Sequence, residues 1–302
     1  MFSSTDNEAF ESMLYDVRYQ HALHTDSFEE QPVSKNTLSN FRCLLYDYQE
    51  KTGIDLVYEE ITALGDKFVK LANMSDRTMR MDSTMISSSC RRLTRLEIVF
   101  NCLERLIKKI NLIAPVILNE RFKVYLEKEH RNNTIYHCQE QSIDQKMTTL
   151  IYDAVNLKEL CKSINCIETE EEYQLFTRMF DDQTKVVDNN VVAKDNKEIL
   201  PTSLQNPTDP DATFRNKSGK RNTGYTGNIA ETFDEGKVFI TDYDLQPNVY
   251  SDQQFAKDVL NSMEEQEDEK SLIIDGGYYS YENNTLAESI HVELVPTALV
   301  GR

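Results

Sequence analysis

Apolar residues recur at helical spacing along the first part of the chain. Residues 7–22 place Phe10, Met13, Leu14, Val17 and Ala22 at near-helical intervals, and Gln31-Pro32-Val33-Ser34 interrupts them. Residues 37–49 resume one stripe with Leu38, Phe41, Leu44, Leu45 and Tyr48, and Lys51-Thr52-Gly53 supplies a glycine stop. Residues 55–73 add a third stripe of Leu56, Ile61, Leu64, Phe68 and Leu71. The simplest expectation is a helical region over 1–75 whose stripes are core contacts between packed helices.

The period changes at 77–86, where Met79, Met81, Ser83 and Met85 alternate with Arg80, Asp82, Thr84 and Ile86. Alternation of this kind predicts a strand. Helical spacing returns with Leu93, Leu96, Val99, Leu103, Leu106, Ile107 and Ile110, and Pro115 limits that helix or begins another. Residues 116–180 read as helical and contain no glycine; 181–212, polar with Pro201, Pro207 and Pro210, read as a loop or linker. Strands are then expected over 224–233 and 237–242, joined by Asp234-Glu235-Gly236 with glycine at a left-handed position. Ser251-Asp252-Gln253-Gln254 has the form of a capping box ahead of a helix with Phe255, Val259, Leu260 and Met263 on its inner face. An acidic run over 264–269 leads to Leu272-Ile273-Ile274-Asp275-Gly276-Gly277-Tyr278, an apolar run that delivers one carboxylate at its end. A helix over 282–289 and a strand over 290–295 follow. From residue 77 the order is strand, helical insertion, strand, strand, helix, strand, helix, strand. It predicts an α/β fold in which helices pack on a mixed sheet, in the strand order of a ribonuclease H-like core with a large helical insertion after the first strand. The expected divisions are 1–75, a partial helical region; 76–92, the first core strand; 93–206, the insertion and linker; and 207–302, the rest of the core.

Composition narrows the chemistry. The net charge of −18 argues against a generic nucleic-acid binder, but charge is unevenly placed. Residues 77–109 carry eight basic side chains against three acidic ones, and 213–221 carry Arg215, Lys217, Lys220 and Arg221 with no acid. Phosphate contact needs local cations, so Arg91, Arg92, Arg95, Lys217, Lys220 and Arg221 are candidate DNA contacts; solvated faces and pairing with the abundant acids are the alternative. No apolar run approaches the length of a membrane span, and the polar, acidic start does not resemble a secretory signal, so the expectation is a cytoplasmic protein without membrane contact. Six cysteines at 43, 90, 102, 138, 161 and 166 form no Cys-x-x-Cys pair and are expected as reduced, buried thiols. A zinc site from His130, His137, Cys138, Cys161 and Cys166 fits no structural zinc spacing well.

Several segments, in order, resemble the DDE transposases of bacterial insertion sequences. Arg80-Met81-Asp82-Ser83-Thr84-Met85-Ile86 with Thr94-Arg95-Leu96-Glu97 is similar to the region of that family's first catalytic aspartate. Asp209-Pro210-Asp211-Ala212-Thr213-Phe214-Arg215 and Gly224-Tyr225 are similar to the approach to its second strand, and Asp275-Gly276-Gly277-Tyr278-Tyr279-Ser280 to its second aspartate with a Gly-Tyr signature. Phe41-Arg42 and Thr52-Gly53 fit the helical region upstream. The resemblance implies a ribonuclease H-like core that cuts and joins DNA with Mg2+ or Mn2+. Asp82 and Asp275 would hold two ions roughly 4 Å apart. Water would attack first and the freed 3′-hydroxyl would then attack target DNA, without a covalent protein intermediate. Implied partners are insertion-sequence ends, target DNA and further copies of the chain, in a bacterial cytoplasm at the nucleoid. The family's third acid, a glutamate in a tyrosine-arginine-glutamate pattern after the last strand, has no counterpart here. Glu288 precedes that strand and Glu293 lies within it. The chain therefore resembles a fragment lacking both ends, inactive alone. The bland alternatives are a capping role for Asp82, a turn role for Asp275 before Gly276-Gly277, turn roles for Asp209 and Asp211, and packing rather than base stacking for Tyr278 and Tyr279. At the level of function, a metal-dependent nuclease that does not join strands and a non-catalytic helical binding protein are the other readings.

Overall fold

The computed structural model describes residues 5–25, 34–136, 140–217, 219–263 and 270–297. Two compact units are present: Met1–Asp76 with Glu231–Asp242, and Arg77–Ala230 with Tyr243–Arg302.

The first unit holds helices α1 (Asp6–Tyr15), α2 (Val17–Leu23), α3 (Thr37–Thr52) and α4 (Leu56–Leu71). The single helix expected over 7–22 is two, because Asp16 is extended and its carboxylate caps the amide of Arg18 at the start of α2. Gly53 ends α3 in the left-handed conformation, as its position requires. The expectation of a helical core is not met here: α1, α2 and α3 contain no buried residue, and Phe41, Leu44, Leu64, Phe68 and Leu71 are all exposed. Periodicity gives a helix its apolar side but not a partner to cover it. The unit's close contacts are with the hairpin tip, where Phe239 stacks on Phe68 at 5.2 Å and a Cβ on Gly65 would lie 2.8 Å from the Ile240 carbonyl oxygen.

In the second unit, strand β1 (Thr78–Ser87) is followed by a helical insertion of α5 (Arg95–Ile113), α6 (Glu120–Lys123), α7 (Lys128–Ile135), α8 (Glu140–Cys161) and α9 (Glu171–Gln183). The Thr94–Glu97 capping box starts α5, and Ile113 ends it just before Pro115. Its stripe is the centre of the insertion's own core: Val99, Leu103, Leu106, Ile107 and Ile110 are fully buried, packed with Phe122, Ile151, Leu157, Phe176 and Met179. The segment expected as a loop over 181–212 instead holds a hairpin, β2 (Thr184–Val187) with β3 (Asn190–Ala193). Its turn residues Asp188 and Asn189 both have positive φ, the two-residue turn that suits hairpin twist.

The main sheet adds β4 (Thr213–Lys217), β5 (Lys220–Asp234), β6 (Lys237–Pro247), β7 (Lys270–Ile274) and β8 (Val292–Pro296), with α10 (Asp252–Ser262) before β7 and α11 (Tyr281–Ser289) after it. Strand order is β4-β5-β1-β7-β8, and β6 also pairs with β5. β1, β7 and β8 are parallel neighbours, while β4 and β5 are antiparallel, so the α/β sheet is mixed. The basic stretch 213–221 is largely this β4–β5 pairing. The Glu235-Gly236 turn has positive φ at both residues, and Ser251 caps α10 by accepting from the Gln254 amide, both as the local signals require. Met81, Leu272, Ile274, Val292 and Leu294 alternate inward and bury against Phe255, Ala256, Val259 and Leu260 of α10 and Ala287 of α11. The acidic run over 264–269 lies outside the described residues. No described helix is long and apolar enough to cross a membrane.

Candidate active site

β1 alternates as its sequence requires: Met81 is buried, whereas Arg80, Asp82 and Thr84 on the other face are exposed. Its parallel register with β7 runs Thr78↔Ser271, Met79↔Leu272, Arg80↔Ile273. Continued by two residues, it sets Asp82 level with Asp275, the first residue past β7. On that register Asp82, midway along β1, lies beside the position just past the carboxyl end of β7, the kind of edge where open α/β sheets bind ligands. Local backbone orients both. Asp82 Oδ1 accepts its own neighbour's amide, Ser83 N, at 2.8 Å, and Asp275 Oδ1 accepts Gly277 N at 2.7 Å. Oδ2 of each accepts no hydrogen bond among the described residues.

A third carboxylate stands beside them that the sequence reading used only as part of a helix start. Asp252, in the first turn of α10, is 8% exposed. Its Oδ1 accepts from the Ser83 hydroxyl at 3.0 Å; Oδ2 faces Arg215 Nη2 at 3.6 Å and Lys217 Nζ at 3.9 Å. A Cβ placed on Gly277 would lie 2.9 Å from Asp275 Oδ1 and 3.1 Å from Asp252 Oδ2, so only glycine leaves both carboxylates room at this turn. Tyr278, fully buried, donates to Asn228 Oδ1 at 2.8 Å. Burial pushes its phenol well above the usual range; the Ser83 hydroxyl opposes this, and the charges of Asp252, Asp82 and Asp275 add to it. Tyr278 is thus a packing residue, with Tyr279 against the same core. The signal for Asp252 in the sequence was only an acid after a capping serine, which describes many helix starts.

The other candidates scatter. Arg91 pairs with Glu97 at 2.5 Å, Arg92 lies 5.8 Å from the centre of the Phe214 ring, and the Arg221 side chain makes no hydrogen bond or ion pair among the described residues. Arg95 is held by Gln183 and Asn196 in the insertion. Lys217 faces Asp252, and Lys220 is exposed beside the β4–β5 turn. Asp209 accepts from the hydroxyls of Ser88 and Tyr225, which gives it a structural role. The cysteines depart in part from expectation: Cys102 and Cys161 are buried free thiols, and burial raises them to about 12 and about 11, but Cys43 and Cys166 are exposed. His130 packs on Tyr125 and Phe100, and His137 and Cys138 lie outside the described residues. Among the described residues no group of three or more His, Cys, Asp or Glu side chains is assembled to hold a metal ion.

Comparison with known proteins finds no relative: no family model, no curated protein and no solved structure matches this chain.

Proposed function

We propose that the second unit is a ribonuclease H-like core for metal-dependent phosphoryl transfer on DNA, of the kind DDE transposases perform. The observation that carries this reading is the β1–β7 register, which makes Asp82 and Asp275 neighbours although 192 residues separate them in sequence. The strand order β4-β5-β1-β7-β8, with β6 also paired to β5, antiparallel pairing at β4–β5 on one side of β1 and two parallel strands on the other, supports it. Asp82 and Asp275 suit a hard cation such as Mg2+ or Mn2+. Such ions take carboxylate oxygen and keep several waters, so one or two carboxylates suffice, and each of these retains an uncommitted Oδ2. When bound, the metal would activate the attacking oxygen and stabilise the leaving one.

The chain's own residues prepare that site. Amides of Ser83 and Gly277 fix the two carboxylates, and the glycine at 277 keeps the turn clear of side-chain bulk. Asp252 ties β1 to α10 through Ser83, and the cations of β4 offset its charge.

Isothermal calorimetry with Mn2+ tests the assignment. The unaltered chain should show saturable binding that Asp82→Asn and Asp275→Asn each weaken at least tenfold. Unchanged isotherms in both variants would remove the metal reading. A DNA substrate labelled at its 3′ end then separates hydrolysis from joining, because only joining moves the label to a longer product.

A further inference from the structure

A cavity of about 180 Å³ opens where β1 ends, lined by Ser87, Ser88, Arg91, Arg92, Arg221, Asn222 and Thr223 among others, and by no acidic residue. Three arginines from two distant segments line it. Arg221 comes from β5, antiparallel to β4, while Arg91 and Arg92 come from the segment between β1 and α5. Arg91 keeps one nitrogen on Glu97, and Arg92 is braced near the Phe214 ring. A further group of the lining, the Thr223 hydroxyl, is buried without a hydrogen-bond partner among the described residues. Buried polar atoms are nearly always paired, so an unpaired hydroxyl in a lining that includes three arginines marks a place shaped for something else. The missing partner is negatively charged and rich in oxygen: guanidinium forks match phosphate, and the hydroxyl can donate to the same oxygens.

We propose that this pocket binds a phosphate oxyanion. The pocket does not depend on the metal reading, since neither Asp82 nor Asp275 lines it. Its identification with a nucleic-acid backbone phosphate rests on the proposed function. From Asp82 to Ser87 the strand advances about 17 Å. That is about five nucleotides of duplex at roughly 3.4 Å each, so a strand bound at the carboxylates could also reach the pocket.

The test uses the full chain in EDTA, which silences any metal site, with inorganic phosphate as the calorimetric probe. The unaltered protein should bind phosphate saturably. The pair Arg92→Gln and Arg221→Gln should weaken it at least tenfold, and Thr223→Val several-fold with no change of net charge. Lys197→Gln, an exposed cation elsewhere in the unit, should leave it unchanged. Absence of saturable binding, or an equal loss in Lys197→Gln, would overturn the pocket, and Thr223→Val decides the matter if the double variant does not fold. A second arm titrates duplex DNA in EDTA. A fall in affinity and a salt slope smaller by about 1 per lost contact assign the site to backbone phosphate; unchanged DNA binding assigns it to a free phosphate. Loss of Mn2+ binding in the aspartate variants leaves this measurement untouched, so the two ideas fail separately.

Discussion

Replacing Asp252 by alanine should destabilise the second unit by about 2–4 kcal/mol. The side chain is almost wholly buried and charged, and the Ser83 hydroxyl donates to it at 3.0 Å. A hydrogen bond to an ionised acceptor contributes about 1.5–3 kcal/mol, and its loss removes one partner of the half-buried Ser83 hydroxyl. An acid in the first turn of α10 adds about 0.3–1 kcal/mol through the helix dipole. The ion pairs at 3.6 and 3.9 Å involve a partly exposed Arg215 and a Lys217 whose side chain is 47% exposed, so they add little. Urea unfolding followed by far-UV circular dichroism reads the change, and hydrogen exchange at β1 and α10 amides localises it. A double-mutant cycle with Ser83→Ala isolates the pair and should give a coupling of about 1 kcal/mol or more. A loss below about 0.5 kcal/mol for Asp252→Ala, or no coupling to Ser83, would refute the tether between β1 and α10.

Gly224→Ala should cost more than about 2 kcal/mol. Gly224 has φ of 152°, and a Cβ there would lie 2.3 Å from the Ile86 carbonyl oxygen and 2.5 Å from the Ser88 amide nitrogen. Gly219→Ala, at positive φ but with nothing within 4 Å, should cost only about 1 kcal/mol, and thermal denaturation of both variants checks the contrast. Acidification should weaken the insertion through His130, whose imidazole burial holds below its usual pKa, the nearby Asp153 and Glu127 charges opposing. The unfolded chain takes up a proton near pH 6.5 and the folded chain only at lower pH, so this stability is present above 6.5 and falls as pH drops below it. His130→Gln should flatten unfolding free energy against pH between 7 and 5; an unchanged slope would count against a neutral buried imidazole.

Whatever depends on neighbours within a few residues was legible in the sequence. The alternation of β1, the stripe of α5, the Glu235-Gly236 turn and the Ser251 cap each follow from backbone geometry repeated over one or two turns, and each stands in the structure where its pattern lies. The hairpin at Asp188-Asn189 was not expected: a polar pair with access to positive φ sits between short valine-bearing strands, but the surrounding polar, proline-bearing stretch read as a loop. Tertiary structure alone decided the rest. That Asp82 is level with Asp275 follows from strand register, which belongs to two segments at once. Asp252 enters the site only because α10 packs on the sheet beside Ser83. Arg91, Arg92 and Arg221 share a cavity because β5 pairs across the sheet, while Arg95, close to them in sequence, is drawn into the insertion. The apolar stripes of α3 and α4 make the same point in reverse: a sequence specifies which face of a helix avoids water, but only packing decides whether another surface covers it.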